Sequence, residues 1–249
     1  MSQLDFDRYT DLESPVHKWN PRAKIISISI LLFSVVSAGE IQQAAAGLAI
    51  ACLLIRVSKL PTDHVVRFIK WPAIFLTSFM IVLLFTTNGV PVFSVYRLSI
   101  SFQGLMLGLL FFIRGMAAAL LASLIVMTTS FSTNVKALED MWVPANLIQI
   151  LVFTYRYVFL LREELQTMIS SMESRGFIKK SDFRTALMFS KALAMLFIRS
   201  YERANNVFLA MLSRGYTGKI SAGRGSQLNG IDIMKSLLIV GAALCIHLL

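Results

Sequence analysis

A polar opening segment is followed by long apolar runs separated by short charged stretches. The first run is Ile25 to Ala38; Gly39-Glu40 interrupt it, and Ile41 to Ile55 follows at once, which predicts a tight helical hairpin. A third run spans about Trp71 to Thr87, a fourth Gly104 to Met127 and a last about Ile233 to Leu248. Each is near the ~17–25 residues that a helix needs to cross a bilayer, the first two being short. Val36-Ser37-Ala38 has the small residues of a signal-peptide cleavage site. The segment before it carries Asp5, Asp7, Asp11 and Glu13, however, so the run is read as a membrane helix. Between the third and fourth runs, Gly89-Val90-Pro91 to Phe102 reads as an extended hairpin or surface loop, and Gly218 to Gly230 as a flexible connection.

Two further patterns are long and helical but interrupted by charge. Pro144 to Arg175 carries Arg156, Arg162, Glu163 and Glu164; Asp182 to Arg214 carries Lys191, Arg199, Glu202 and Arg203. Such charges cost roughly 2.5–3.5 kcal/mol each at the centre of a membrane span. Their broad apolar faces (Leu147, Ile150, Leu151, Phe153; Leu187, Leu193, Leu196, Phe197, Phe208) suit helices lying along the membrane surface. Pro144 stands near the first helix start, where a missing N–H is tolerated, and Ser181-Asp182 form an N-cap pair for the second. The expected fold is an all-α integral membrane protein of about five transmembrane helices plus two long amphipathic cytoplasmic helices. Residues 144–161 are apolar enough to leave the count open between five and six. The expected divisions are residues 1–128 (N-terminal segment and four membrane helices), 129–217 (the two long helices) and 218–249 (linker and last membrane helix).

Composition agrees with a membrane protein. Of 249 residues 56% are hydrophobic and 15% charged, with a mean hydropathy of +0.67, against about 25% charged in soluble domains. This excludes a disordered chain and argues against a water-soluble enzyme. The net charge of +10 needs its own explanation. Arg8, Lys18, Arg22 and Lys24 precede the first run, and Arg56, Lys59, Arg67 and Lys70 sit in the loop after the second. The turn at Gly39 holds no cation, and the loop after the third run holds Arg97 alone. The positive-inside rule then places the N-terminus in the cytoplasm of a multi-pass cell-membrane protein. Residues 130–230 carry 13 of the 24 cations, so they too are expected there. The excess is that of a chain facing lipid headgroups; no Gly-rich or zinc module points to nucleic acid.

Little catalytic chemistry is on offer. Cys52 and Cys245 lie in apolar runs, and His17, His64 and His247 are scattered without a second ligand at helical spacing, so no metal site is expected on this chain. Gly215-Tyr216-Thr217-Gly218-Lys219 is too short for a phosphate-binding loop. The chain is expected to be no enzyme, with no cofactor of its own. Arg114, ten positions inside the fourth run, is a candidate intramembrane polar site. Gly104-x-x-x-Gly108 and the small residues Ala44 to Ala51 permit close helix packing, within the bundle or against a partner.

The ends of the two long helices repeat. Ser171-Met172-Glu173-Ser174-Arg175-Gly176-Phe177 parallels Ala210-Met211-Leu212-Ser213-Arg214-Gly215-Tyr216, with the arginines 39 positions apart. One such end is an ordinary helix terminus, in which Gly takes the left-handed position and a cation complements the macrodipole. Two near-identical ends point to a paired role: Ser174, Arg175 and Gly176 with Ser213, Arg214 and Gly215 present matching tips to a partner dimer with two equivalent acidic sockets.

At these residues the chain resembles the transmembrane (T) component of energy-coupling-factor transporters, and within it the CbiQ type of cobalt transport permease. The resemblance is carried by Ser14-Pro15-x-His17-x-x-x-Pro21-Arg22-x-Lys24, Phe153-Thr154-Tyr155-Arg156-Tyr157, Leu165 to Phe177, Arg199-Ser200-Tyr201-Glu202-Arg203-Ala204 and the second Arg-Gly end. It covers residues ~5 to ~220, with Ser in place of Ala before each arginine. The resemblance implies a coupling subunit whose two coupling helices dock Arg175 and Arg214 into two ABC ATPases (CbiO-like), which bind ATP. A membrane S component (CbiM-like) would hold Co2+, with a small CbiN-like subunit beside it, in an importer serving cobalamin biosynthesis. This chain's own residues leave nickel or a vitamin open as substrate. A stand-alone secondary carrier or channel is the alternative, with Arg114 as its best residue, although no broken helices or repeats among the spans support it.

Overall fold

The computed structural model describes residues 14, 16–17, 19–87, 91–95, 98–141, 143–218 and 229–248. In chain order its elements are α1 (Pro21–Ser37), α2 (Ile41–Val57), α3 (Thr62–Thr86), β1 (Pro91–Val95), β2 (Leu98–Ser101), α4 (Phe102–Thr128), α5 (Phe131–Glu139), α6 (Ala145–Ser174), α7 (Phe183–Ser213) and α8 (Gly230–Leu248). They form two compact units that divide at Ala137/Leu138: α1 to α4, most of α5, the hairpin and α8 in the first, α6 and α7 in the second.

All five apolar runs are helices, and local chemistry starts three of them. The Asn20 side chain accepts a hydrogen bond from the Arg22 N–H at 3.1 Å, and Pro21 takes the first helical position of α1. Gln43 reaches back from α2 so that its Oε1 accepts from the Gly39 N–H at 3.0 Å, which makes the Gly39-Glu40 break a defined corner. Ser101 Oγ accepts from the Gly104 N–H at 3.2 Å, turning β2 directly into α4. Among the described residues three helices are long and apolar enough to cross a membrane: Thr62–Thr86, Phe102–Thr128 and Gly230–His247. The 17 residues of α1 and of α2 span about 25 Å each at 1.5 Å per residue.

The segment read as an extended hairpin or surface loop pairs Phe93 with Ile100 and Val95 with Leu98 in antiparallel strands, within an otherwise helical fold. Three expectations need correction. Arg67 and Lys70 do not sit in a loop: α3 begins at Thr62 and runs through Pro72. Proline removes one backbone donor, and the surrounding ladder carries the helix past it. The short α5 has no counterpart among the expected elements. Asp182 occupies the N-cap of α7, yet its side chain makes no capping bond. The expected connection Gly218 to Gly230 lies mostly outside the described residues, as does Arg97.

In the first unit α4 packs against α3, α2 and α1, and α1 against α8. Ile28, Leu31 and Val35 of α1, Leu121 and Leu124 of α4 and Ala243 and Ile246 of α8 are buried together. Close approach of α4 to α3 depends on missing side chains. A Cβ at Gly104 would stand 2.7 Å from the Leu83 carbonyl oxygen, and one at Gly108 3.0 Å from Met80 Cγ. The Gly104/Gly108 pair therefore serves packing inside the bundle. Ala44 and Ala51 are likewise buried, while Ala45 and Ala49 remain exposed.

Candidate functional site

The N-terminal motif builds a junction of three helix ends. Trp19 Nε1 donates to the Asp232 carbonyl at 3.3 Å, and the Asn20 N–H to Asp232 Oδ1 at 3.4 Å, fastening the start of α1 to the start of α8. Lys24 is 1% exposed. Its Nζ donates to Thr129 Oγ1 at 2.9 Å, to Thr128 Oγ1 at 3.3 Å and to the Thr128 carbonyl at 3.4 Å. The ammonium thus satisfies carbonyl and hydroxyl acceptors at the C-terminus of α4, where the macrodipole favours a cation. Lys24 was expected as a topogenic charge and as the last residue of the N-terminal motif. Its burial could not be read from the sequence because its acceptors lie over a hundred positions away.

Arg114 lies half-buried in α4. Its Nε is buried without a hydrogen-bond partner, and its guanidinium carbon stands 6.0 Å from the ring centre of Phe111, one turn earlier on the same helix. That is the outer limit of a cation–π contact. Among the described residues no group of three or more His, Cys, Asp or Glu side chains could hold a metal ion.

The second unit holds the repeated ends. In α6 the Gly176 N–H donates to the Glu173 carbonyl at 3.0 Å and the Phe177 N–H to the Met172 carbonyl at 3.1 Å. In α7 the Gly215 N–H donates to the Leu212 carbonyl and the Tyr216 N–H to the Met211 carbonyl, both at 3.0 Å. These are the paired bonds of a Schellman cap, in which the residue after the C-cap must be left-handed. Gly176 and Gly215 supply it with φ of 86° and 83°. Ser174 Oγ donates to the Ser170 carbonyl at 3.0 Å and Ser213 Oγ to the Ala210 carbonyl at 2.9 Å. Each hydroxyl is thus turned back onto its own helix, and serine presents little more than a small side chain. Arg175 and Arg214 are both exposed, and among the described residues neither has an ion-pair partner.

The two helices run antiparallel and are joined where charge meets charge. Glu164 of α6 lies 3.3 Å from Arg199 and 3.6 Å from Arg203 of α7, with 15% of its side chain exposed. Arg175 is 11 residues beyond Glu164, and Arg214 is 11 beyond Arg203. Each arm from joint to tip is therefore about 16 Å at 1.5 Å per residue. A second tie lies at one end of the pair: the Tyr216 hydroxyl donates to Gln149 Oε1 at 2.8 Å. Between the two ties is a cavity of about 410 Å³ lined mainly by apolar side chains, including Phe153, Tyr157, Leu161, Val207 and Phe208. Neither tie was read from the sequence, although extending the 39-residue offset from the tips to Glu164 and Arg203 pairs opposite charges.

Comparison with known proteins places these features in one family. The chain matches the cobalt transport protein family CbiQ over residues 13–223 and belongs to it. An uncharacterised protein of Methanocaldococcus jannaschii is 30% identical over 86% of this chain and 76% of its own length. The energy-coupling factor transporter transmembrane protein EcfT of Macrococcus caseolyticus is 24% identical over 90% of this chain and 88% of its own. That of Acidaminococcus fermentans is 25% identical over 98% and 97%. The chain is a multi-pass membrane transport protein rather than an enzyme.

Proposed function

We propose that this chain is the transmembrane coupling subunit of an ATP-driven importer of the energy-coupling-factor type. The observation that carries the reading is the pair of matching, exposed Arg-Gly tips at equal distances from the Glu164–Arg203 joint. Two identical ATPase subunits offer two equivalent sockets, and two arms of equal length, ending in the same cap, suit them. Arg175 and Arg214 would each pair with an acidic group of one ABC ATPase (CbiO-like). A planar guanidinium fixes orientation as well as attraction, which suits a joint that transmits force. Gly176 and Gly215 let the chain turn away behind each arginine, and Ser174 and Ser213 keep its approach unobstructed.

ATP would be bound and hydrolysed on those partners, whose approach and separation would move the tips and turn α6 and α7 about the Glu164 joint. That motion would reach a substrate-binding membrane S component (CbiM-like) holding Co2+, with a CbiN-like accessory subunit beside it. Cobalt is supported by the family's description and by no ligand set on this chain. Membrane crossings by α1, α2, α3, α4 and α8, with the N-terminus and the α6–α7 unit cytoplasmic, agree with the placement of the cations. The deciding experiment is metal uptake into cells expressing this chain and an S component, with and without the ATPases. Uptake that requires hydrolysis-competent ATPases supports the coupling role; gradient-driven uptake by this chain alone supports a carrier instead.

A further inference from the structure

The two tips share a backbone but differ in what anchors them. We propose that Tyr216 and Gln149 form a latch holding the Arg214 tip to the start of α6, whereas the Arg175 tip has no such latch onto α7 among the described residues, so that the two ATPase contacts are mechanically unequal. The inference rests on the reading of the tips as ATPase contacts.

The Tyr216 hydroxyl donates to Gln149 Oε1 at 2.8 Å across 67 positions of sequence, in a half-buried setting. Gln149 is the fifth residue of α6. Tyr216 belongs to the cap itself, because its N–H is bonded to the Met211 carbonyl. Arg214, Gly215 and Tyr216 therefore share one closed turn, and fixing the ring fixes the arginine. The offset of 39 makes Phe177 the equivalent of Tyr216 and Met188 the equivalent of Gln149. A phenyl ring has no donor, so the same hydrogen bond is chemically impossible at the first tip. The segment beyond Arg175 is held by exposed contacts instead: Lys179 pairs with Glu173 at 2.7 Å, with 59% and 43% of the two side chains exposed, and the Lys180 N–H donates to Thr185 Oγ1 of α7 at 3.4 Å. An exposed pair of this kind restrains little.

The cavity of about 410 Å³ between Glu164 and Gln149 gives the latch its leverage. Along that stretch the helices are not close-packed, so the arm beyond Arg203 is held at its far end by the polar contact. With the latch closed, a push on Arg214 is delivered at its own tip to both helices; a push on Arg175 is delivered to α6 and reaches α7 through the short connection and the Glu164 joint.

The test uses the complete transporter reconstituted in liposomes, with substrate uptake per ATP hydrolysed as readout. Tyr216→Phe, which gives the second tip the ring of the first, is placed in three backgrounds: the otherwise unchanged chain, Arg175→Ala and Arg214→Ala. Losing one hydrogen bond should lower coupling about five-fold in the Arg175→Ala background, where Arg214 works alone, and leave Arg214→Ala unchanged. Gln149→Leu should behave as Tyr216→Phe, and Gln149→Glu, which keeps the acceptor for the phenol but loses the amide that donates to it at 2.5 Å, should lose less. A loss of equal size in both backgrounds, or in neither, overturns the latch. Retention of the ATPases by a chain carrying Arg175→Glu and Arg214→Glu overturns the underlying reading, and the latch with it.

Discussion

Glu164 Oε2 lies 3.6 Å from Arg203 Nη2, and the two residues are separated by the same 39 positions that separate Arg175 from Arg214. A residue that meets its own equivalent marks the centre of a pseudo-symmetric pair. Helices α6 and α7 thus cross-link at corresponding points and extend corresponding arms. The arrangement resembles a balance beam more than a surface patch.

Breaking the centre should uncouple before it unfolds. Glu164→Gln removes the charge that Arg199 and Arg203 share, at a cost of about 1 kcal/mol or less for partly exposed pairs. The chain should keep its ATPases while transport per ATP falls. Exchanging the charges with Glu164→Arg and Arg203→Glu should restore coupling only in part, because Arg199 remains beside the new arginine.

Gly176 and Gly215 have open space where a Cβ would stand, so an added methyl meets conformational strain and no clash. Alanine at φ above 80° costs roughly 1–2 kcal/mol. Gly215→Ala should weaken ATPase binding about ten-fold in pull-down titrations, with Gly215→Asn closer to the unsubstituted chain because asparagine tolerates that region.

The α3–α4 contact separates two glycines. A Cβ at Gly104 meets the Leu83 backbone oxygen at 2.7 Å, whereas one at Gly115 meets the Leu76 side-chain methyls at 2.5 Å. A side chain can rotate away and a carbonyl in a helix cannot. Gly104→Ala should destabilise by about 1–3 kcal/mol, seen as a lowered thermal midpoint in detergent, and Gly115→Ala by less.

Lys24 makes a similar contrast at the other end of α4. Thr129→Val takes the nearest acceptor from a buried ammonium and should cost about 1–3 kcal/mol, the penalty of an unsatisfied buried group. Lys24→Met removes the charge along with its needs and should destabilise less, by the same thermal measurement.

The apolar helices were legible because apolar runs and their breaks are local signals. The start of α3 was not, since Arg67 and Lys70 read as loop residues although α3 begins before them at Thr62. Nor was α5, whose nine residues mix polar and apolar positions. The tips were legible for the same reason as the runs: Ser-Arg-Gly-aromatic is written contiguously. The joint and the latch were not, because Glu164 with Arg203 and Gln149 with Tyr216 carry no local mark of their pairing, and Glu164 reads in isolation as a charge that forbids a membrane span.

The most direct measurement is co-purification of the ATPases with a chain carrying both Arg175→Glu and Arg214→Glu, made in the membrane beside the S component. Neither arginine is ion-paired among the described residues and both are exposed, so reversal should leave the fold and the thermal midpoint intact. The expected result is a folded, membrane-inserted chain that no longer retains the ATPases and supports no ATP-dependent uptake. Full retention of the ATPases by that chain would contradict the coupling role.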